Sequence, residues 1–235
     1  MTTPAAEPID DDAAPVTRIS SLWLLLASLV LLQFGYPVTE AGPSWTVVYL
    51  LVYGGVIGYV VLTARADARR YWPLVALAAV AIVGGTWFGL QQDSGAAQVA
   101  MLAGIGMLQL ALLIVLAAAL VKPPAHAHVA HLLLVAVCAY LLLGGVFGVA
   151  ASLVELQSPG SFIDPTVASG TVPWQSLFYA SYVTLATLGF GDVVPAASWA
   201  RSLMSLEAVV GTLFVAVVIA RLVGVAGRVK EDRTT

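Results

Sequence analysis

One nine-residue stretch holds the residue types from which this chain could build a chemical site: Thr184-Leu185-Ala186-Thr187-Leu188-Gly189-Phe190-Gly191-Asp192. Its distinctive feature is the alternation of Gly189 and Gly191 with larger residues. Glycine adopts backbone angles that other residues reach only at a cost. An extended strand with glycines at alternate positions can therefore turn its carbonyls toward one side. A row of carbonyl oxygens is what a dehydrated cation needs in place of its water shell. The plain alternative is a glycine-rich loop between two helices. Nine positions in register, inside a hydrophobic protein and ahead of a final apolar run, outweigh it.

The flanking elements must position that stretch. Pro173 to Leu185 reads as a short helix, with proline in its first turn and Trp174, Leu177, Phe178 and Leu185 apolar. Its thirteen residues are too few to cross a bilayer, so it suits a re-entrant half-helix. Irregular backbone at membrane depth survives only where protein or a water-filled cavity surrounds it. After the stretch, Pro195 lies in an exit loop, Ser198 can cap, and an apolar helix runs from about Trp199 to Val225.

The rest of the chain fits a membrane protein of several spans. It has 235 residues, 60% of them hydrophobic and 10% charged, with a mean hydropathy of +0.95. That composition excludes an ordinary soluble domain. Apolar runs fall at about 19–36, 45–63, 71–90, 98–121, 129–154 and 199–225, each close to the ~20 residues that cross ~30 Å of hydrocarbon. The expected fold is all-α, with six transmembrane helices and a re-entrant helix and loop between helices 5 and 6. The expected divisions are a disordered acidic tail (1–17), a four-helix membrane domain (18–122), a domain carrying the glycine stretch (123–226) and a short tail (227–235). The lone Cys138 reads as a small buried apolar residue.

Basic residues give the orientation. With both termini cytoplasmic, Arg18, Arg65, Arg69, Arg70, Lys122, Arg221, Arg228, Lys230 and Arg233 all fall inside, and Arg201 alone falls outside. The glycine stretch then opens outward. Gly54/Gly58 and Gly144/Gly148 are small-residue pairs four apart that allow helices to approach closely, although glycine is common in membrane helices anyway.

Residues from about 130 to 226 resemble the pore of potassium channels, whose filter signature is T-x-x-T-x-G-[YF]-G-D. The resemblance implies that the carbonyls of Thr187, Leu188, Gly189 and Phe190, with the Thr187 hydroxyl, hold potassium ions, with Gly191 completing the strand. It implies that Leu188 and Phe190 point away from the axis and pack behind it. One strand cannot encircle an ion, so it also implies a homotetramer. The expected partners are potassium ions, the lipid bilayer of the cell membrane and three further copies, with no nucleic acid, no cofactor and no enzymatic activity. Thr184 and Asp192 support the filter in this reading. The family usually ties the acid to a pore-helix tryptophan, and the matching position here is Tyr179, whose hydroxyl can still donate. Gly211, twenty-two residues after Gly189, matches the hinge glycine. Packing against the pore helix is an equal alternative for it.

Other residues are read on their own chemistry. Glu207 is the one acid inside the last span, and the expectation is a buried hydrogen bond behind the filter. Thr212, Val215, Ile219 and Val223 follow Gly211 at helical spacing and either line a cavity and gate or face neighbouring helices. Span 4 has no arginine or lysine, so no conventional voltage sensing is expected. The first four helices are a structural collar, or bind lipid or an unknown ligand. His126, His128 and His131 read as a solvated linker more readily than a metal site. The tail after Val225 is too short for a regulatory domain. Rival functions are a weakly selective cation channel, an energy-coupled potassium transporter, and a non-conducting receptor or lipid-binding bundle with an inherited pore.

Overall fold

The structure is a computed structural model, and it describes residues 19–35, 37–38, 42–63, 68–122, 129–167 and 170–231. The acidic tail, Arg18, Arg65, His126, His128 and Arg233 lie outside them. The described elements are α1 (Ile19–Phe34), α2 (Pro43–Thr63), α3 (Ala68–Leu90), α4 (Gly95–Val121), α5 (Val129–Gln157), α6 (Trp174–Leu185) and α7 (Ser198–Glu231). Two-residue strands β1 (Phe162–Ile163) and β2 (Val194–Pro195) pair antiparallel, a small addition to the all-α expectation.

Four of these helices are long and apolar enough to cross a membrane: Trp72–Leu90, Gly95–Val121, Val129–Gln157 and Ser198–Gly224. Shorter apolar helical stretches cover Ser21–Phe34 and Val47–Gly58. Helix ends follow local chemistry. Ser94 caps α4, its Oγ accepting the Ala97 N–H at 3.3 Å. Pro173 sits one residue ahead of α6, with φ −65° and ψ 149°, rather than inside its first turn.

The larger of two core clusters runs across most of the helices. Leu22, Leu25 and Leu29 of α1, Tyr53 and Ile57 of α2, and Met101, Leu108 and Leu112 of α4 pack in one cluster with Val135, Cys138 and Leu142 of α5 and Phe178 of α6. Cys138 is a free, buried thiol within it. α5 is the shared wall: it contacts α1 and α4 on one side and α6 and α7 on the other. His131 is buried in the first turns of α5, not solvated in a linker as the sequence suggested. Gly144 and Gly148 bring α5 close to α6: a Cβ at Gly144 would stand 2.4 Å from the Tyr182 ring, and one at Gly148 would stand 3.0 Å from Phe178.

Candidate functional site

The glycine stretch begins where α6 ends, and the end of α6 is fixed in detail. Ala186 caps the helix. The Leu188 N–H bonds the Val183 carbonyl at 2.8 Å and the Thr187 N–H bonds the Thr184 carbonyl at 2.9 Å. With Thr187 at φ 57°, this is a Schellman motif, in which the residue just past the cap turns left-handed. Glycine usually fills that place. A β-branched threonine there is a backbone outlier, and residues held in such regions cost about 1–3 kcal/mol. Strain of that size persists only where the surroundings impose it.

The left-handed turn then recurs. Thr187, Gly189 and Gly191 have φ of 57°, 60° and 76°, while Leu188 and Phe190 are not among the residues with positive φ. The two glycines occupy the positions where a side chain would be strained, although the space around them is open. Residues 186–192 are all exposed in the single chain. Leu188 and Phe190 are 57% and 64% exposed in the single chain.

Hydroxyls staple α6 to α5. The Tyr182 hydroxyl donates to the Leu141 carbonyl at 2.6 Å, and the Tyr140 hydroxyl donates to the Leu185 carbonyl at 3.1 Å. The Ser181 hydroxyl lies 2.7 Å from the Gly144 carbonyl and 2.5 Å from Glu207 Oε1. Glu207 is fully buried. The site thus places Glu207 beside α6, as a buried hydrogen-bonded carboxyl. On the α7 side, a Cβ at Gly211 would stand 2.7 Å from the Leu185 carbonyl oxygen. α7 continues through Gly211 without a break. The last residue of α6 is therefore held by α5 and closely abutted by α7. Thr212, Val215, Ile219 and Val223 are all exposed.

Past the stretch, the Tyr179 hydroxyl donates to Asp192 Oδ2 at 2.6 Å, and the Val193 N–H donates to Oδ1 at 3.0 Å. The Tyr179 hydrogen bond is the main influence holding the Asp192 carboxyl below the ordinary aspartate range. Asp164 is also held low, first by the Thr166 hydroxyl, which donates to it at 2.6 Å. The two acids, with Gln175, Ser176 and Tyr179, line a cavity of about 380 Å³ at this mouth.

Sequence reasoning missed Glu155. This buried carboxylate near the end of α5 accepts three backbone N–H groups: Gly160 at 3.0 Å and Val172 at 3.1 Å on Oε1, and Phe162 at 2.9 Å on Oε2. It gathers the loop between α5 and α6. β1 then pairs with β2, and the Ser161 carbonyl accepts the N–H groups of Ala196 and Ala197. The exit from the glycine stretch is thereby tied to the loop before α6. The available signal was an acid in an otherwise apolar run just ahead of Ser158-Pro159-Gly160. Ser181, Tyr140 and Tyr182 were missed as well. Each is a hydroxyl in an apolar run, which needs a partner there.

Two membrane-length helices thus flank a short helix that leads into a strand with alternating backbone handedness, held on a scaffold of buried hydrogen bonds. Residues 135–227 match the family described as "Ion channel". Over that stretch the chain is similar to ion channels. The match takes in most of α5, all of α6, the glycine stretch and most of α7. No curated protein and no solved structure matches the chain. Among the described residues, no group of three or more His, Cys, Asp or Glu is placed to hold a metal ion.

Proposed function

We propose that the chain is the subunit of a potassium-selective channel that conducts passively through backbone carbonyls. The observation that carries this reading is the alternating handedness at Thr187, Gly189 and Gly191. Reversing φ at every second residue turns successive carbonyls toward a common side, the arrangement that coordination of a dehydrated cation requires. Thr187, Leu188, Gly189 and Phe190 supply the ligands, and Gly191 completes the strand. Thr184, Tyr179, Asp192 and Glu207 support it. One strand offers an ion only one side of a cage, so four copies around an axis complete it. The 57% and 64% exposure of Leu188 and Phe190 fits side chains that pack only on assembly.

In this reading α1 and α2 join the four longer helices to make six spans in the cell membrane, with α6 re-entrant and both termini cytoplasmic. Gly211 and the residues below it, Ile219 and Val223 among them, form the hinge and gate. α4 carries no arginine or lysine, so gating does not use a conventional voltage sensor. The test is flux into liposomes containing purified protein, with potassium against sodium gradients and with barium as a blocker. Potassium-selective, barium-sensitive flux is the expected result. Equal potassium and sodium flux would overturn the selectivity and leave a general cation channel.

A further inference from the structure

A second site lies at the other end of α7. An apolar groove of about 370 Å³ is walled by α4, α5 and α7, with Leu120, Leu132, Leu213, Phe214 and Val217 along it and Arg221 at one end. We propose that this groove binds an anionic phospholipid, with its phosphate on Arg221 and one acyl chain along the apolar wall. The proposal concerns the gate helix of the function proposed above, but the binding does not depend on conduction.

Length is the first argument. The lining runs from Val210 to Leu222 of α7. Twelve residues of helix rise about 18 Å, a little over half of the ~30 Å hydrocarbon thickness. The groove is therefore as deep as one leaflet, and it opens at a cation.

Charge is the second. Arg221 Nη2 donates to the Val121 carbonyl at 2.5 Å, closing the last turn of α4. Its Nε is enclosed and has no partner among the described residues. A guanidinium carries five N–H donors in a fixed fork, a geometry matched by the paired oxygens of a phosphate. Lys122, exposed and next in sequence to Val121, adds a second cation at the same end. No acid is among the lining residues. A headgroup with net negative charge is therefore favoured over a zwitterionic one.

The position on α7 is the third argument. At 3.6 residues per turn, Leu213, Phe214, Val217 and Arg221 lie roughly opposite Thr212, Val215, Ile219 and Val223 around the helix. The groove consequently faces away from the side proposed to line the conduction path, toward α4, α5 and the bilayer. A lipid seated there touches the helix below Gly211 and the end of α4 together.

The experiment is native mass spectrometry of the full-length protein in detergent, titrated with phosphatidylglycerol or phosphatidylcholine. Phosphatidylglycerol should be retained, and phosphatidylcholine held about tenfold more weakly. Arg221→Gln should weaken phosphatidylglycerol by about tenfold, the effect of losing one charge-assisted contact. Leu213→Trp, which fills the groove and spares the arginine, should weaken both lipids. Equal retention of the two lipids, or retention unchanged in both variants, would overturn the proposal. A cysteine crosslink from position 217 to α7 of a second copy would also overturn it, by showing that a neighbouring chain fills the groove. None of these readouts uses ion flux, so a protein that binds the lipid and conducts nothing would refute the channel reading alone.

Discussion

The scaffold end of this region, α6 with the residues around it, and the filter end, residues 186–192, differ in how much of their environment one chain provides. At the scaffold end, Glu155 satisfies three backbone donors, Ser181 meets Gly144 and Glu207, and Tyr140 and Tyr182 tie α5 to α6. At the filter end, residues 186–192 are exposed throughout, and the side-chain contacts at the exit are few: Tyr179 with Asp192, and Arg201 with the Pro195 carbonyl. The long helices differ in the same sense: 61% of the α5 span is buried inside the chain, but 17% of the α7 span. One copy therefore finishes the support and leaves the filter and inner helix open. Strain collects where the contacts are fewest, at the left-handed Thr187. A strained, exposed strand is stable only if something else surrounds it, which is the physical reason to expect assembly.

The sharpest way to break this comparison is at the filter. Gly189 has φ 60°, and a Cβ there would meet no neighbour, so the penalty for Gly189→Ala is one of backbone and not of space. The left-handed conformation costs an L-residue about 1–2 kcal/mol. The variant should insert and purify like the parent, with potassium-selective flux into liposomes abolished. Unchanged selectivity would contradict the carbonyl arrangement. Next in size is Glu155→Gln on the scaffold. An amide offers one acceptor oxygen where the carboxylate has two, leaving at least one buried N–H facing an NH₂ group. Each such loss costs about 1–3 kcal/mol, and for a chain of this length 1 kcal/mol shifts Tm by about 2–4 °C. Thermal unfolding in detergent should therefore fall by at least about 2 °C. If Tm holds while flux is lost, the scaffold and filter are not separable in the way argued here.

Gly211→Ala sharpens the boundary between the two ends. The added methyl would press on the Leu185 carbonyl, at the junction of α6 and the filter. Overpacking of this kind costs typically about 1–3 kcal/mol. A packing glycine predicts a lower Tm together with reduced flux. A hinge glycine predicts an unchanged Tm with altered open probability in single-channel recordings.

How much of this was legible beforehand follows the same division. The backbone of the glycine stretch was readable because its demand is written in residue type: glycine at 189 and 191 is a local signature of positive φ. Thr187 shows where that signature ends, since no composition rule places a threonine at a left-handed helix cap. The long apolar helices were readable from length and hydropathy. The scaffold was not. Glu155 bonds residues up to seventeen positions away, and Tyr140 reaches the carbonyl of Leu185, forty-five positions on; partners that distant are chosen by packing. The burial of His131 was missed for the same reason, because a histidine beside a proline-rich linker looks solvated until α5 is packed. Leu188 and Phe190 are exposed in the single chain.

The smallest expected effect is at the filter exit. Tyr179→Phe removes the hydroxyl that donates to Asp192 and leaves the ring in place. The contact is solvent-exposed, so Tm should move little. The pH dependence should move instead. Hydrogen bonding to Tyr179 favours the charged carboxylate and holds its titration below the ordinary aspartate value. A depressed carboxylate contributes stability that is present above its unfolded value, about 3.9, and lost as pH falls through its folded value. In the parent, outside acidification from pH 7 to pH 5 should therefore leave steady potassium flux unchanged. In Tyr179→Phe the loss of flux on further acidification should begin at higher pH than in the parent. Asp192→Asn should lack this acid limb altogether. If the acid limbs of the parent and Tyr179→Phe coincide, the hydroxyl does not brace the exit, and the pairing of β1 with β2 and the Ser161 carbonyl hold it instead.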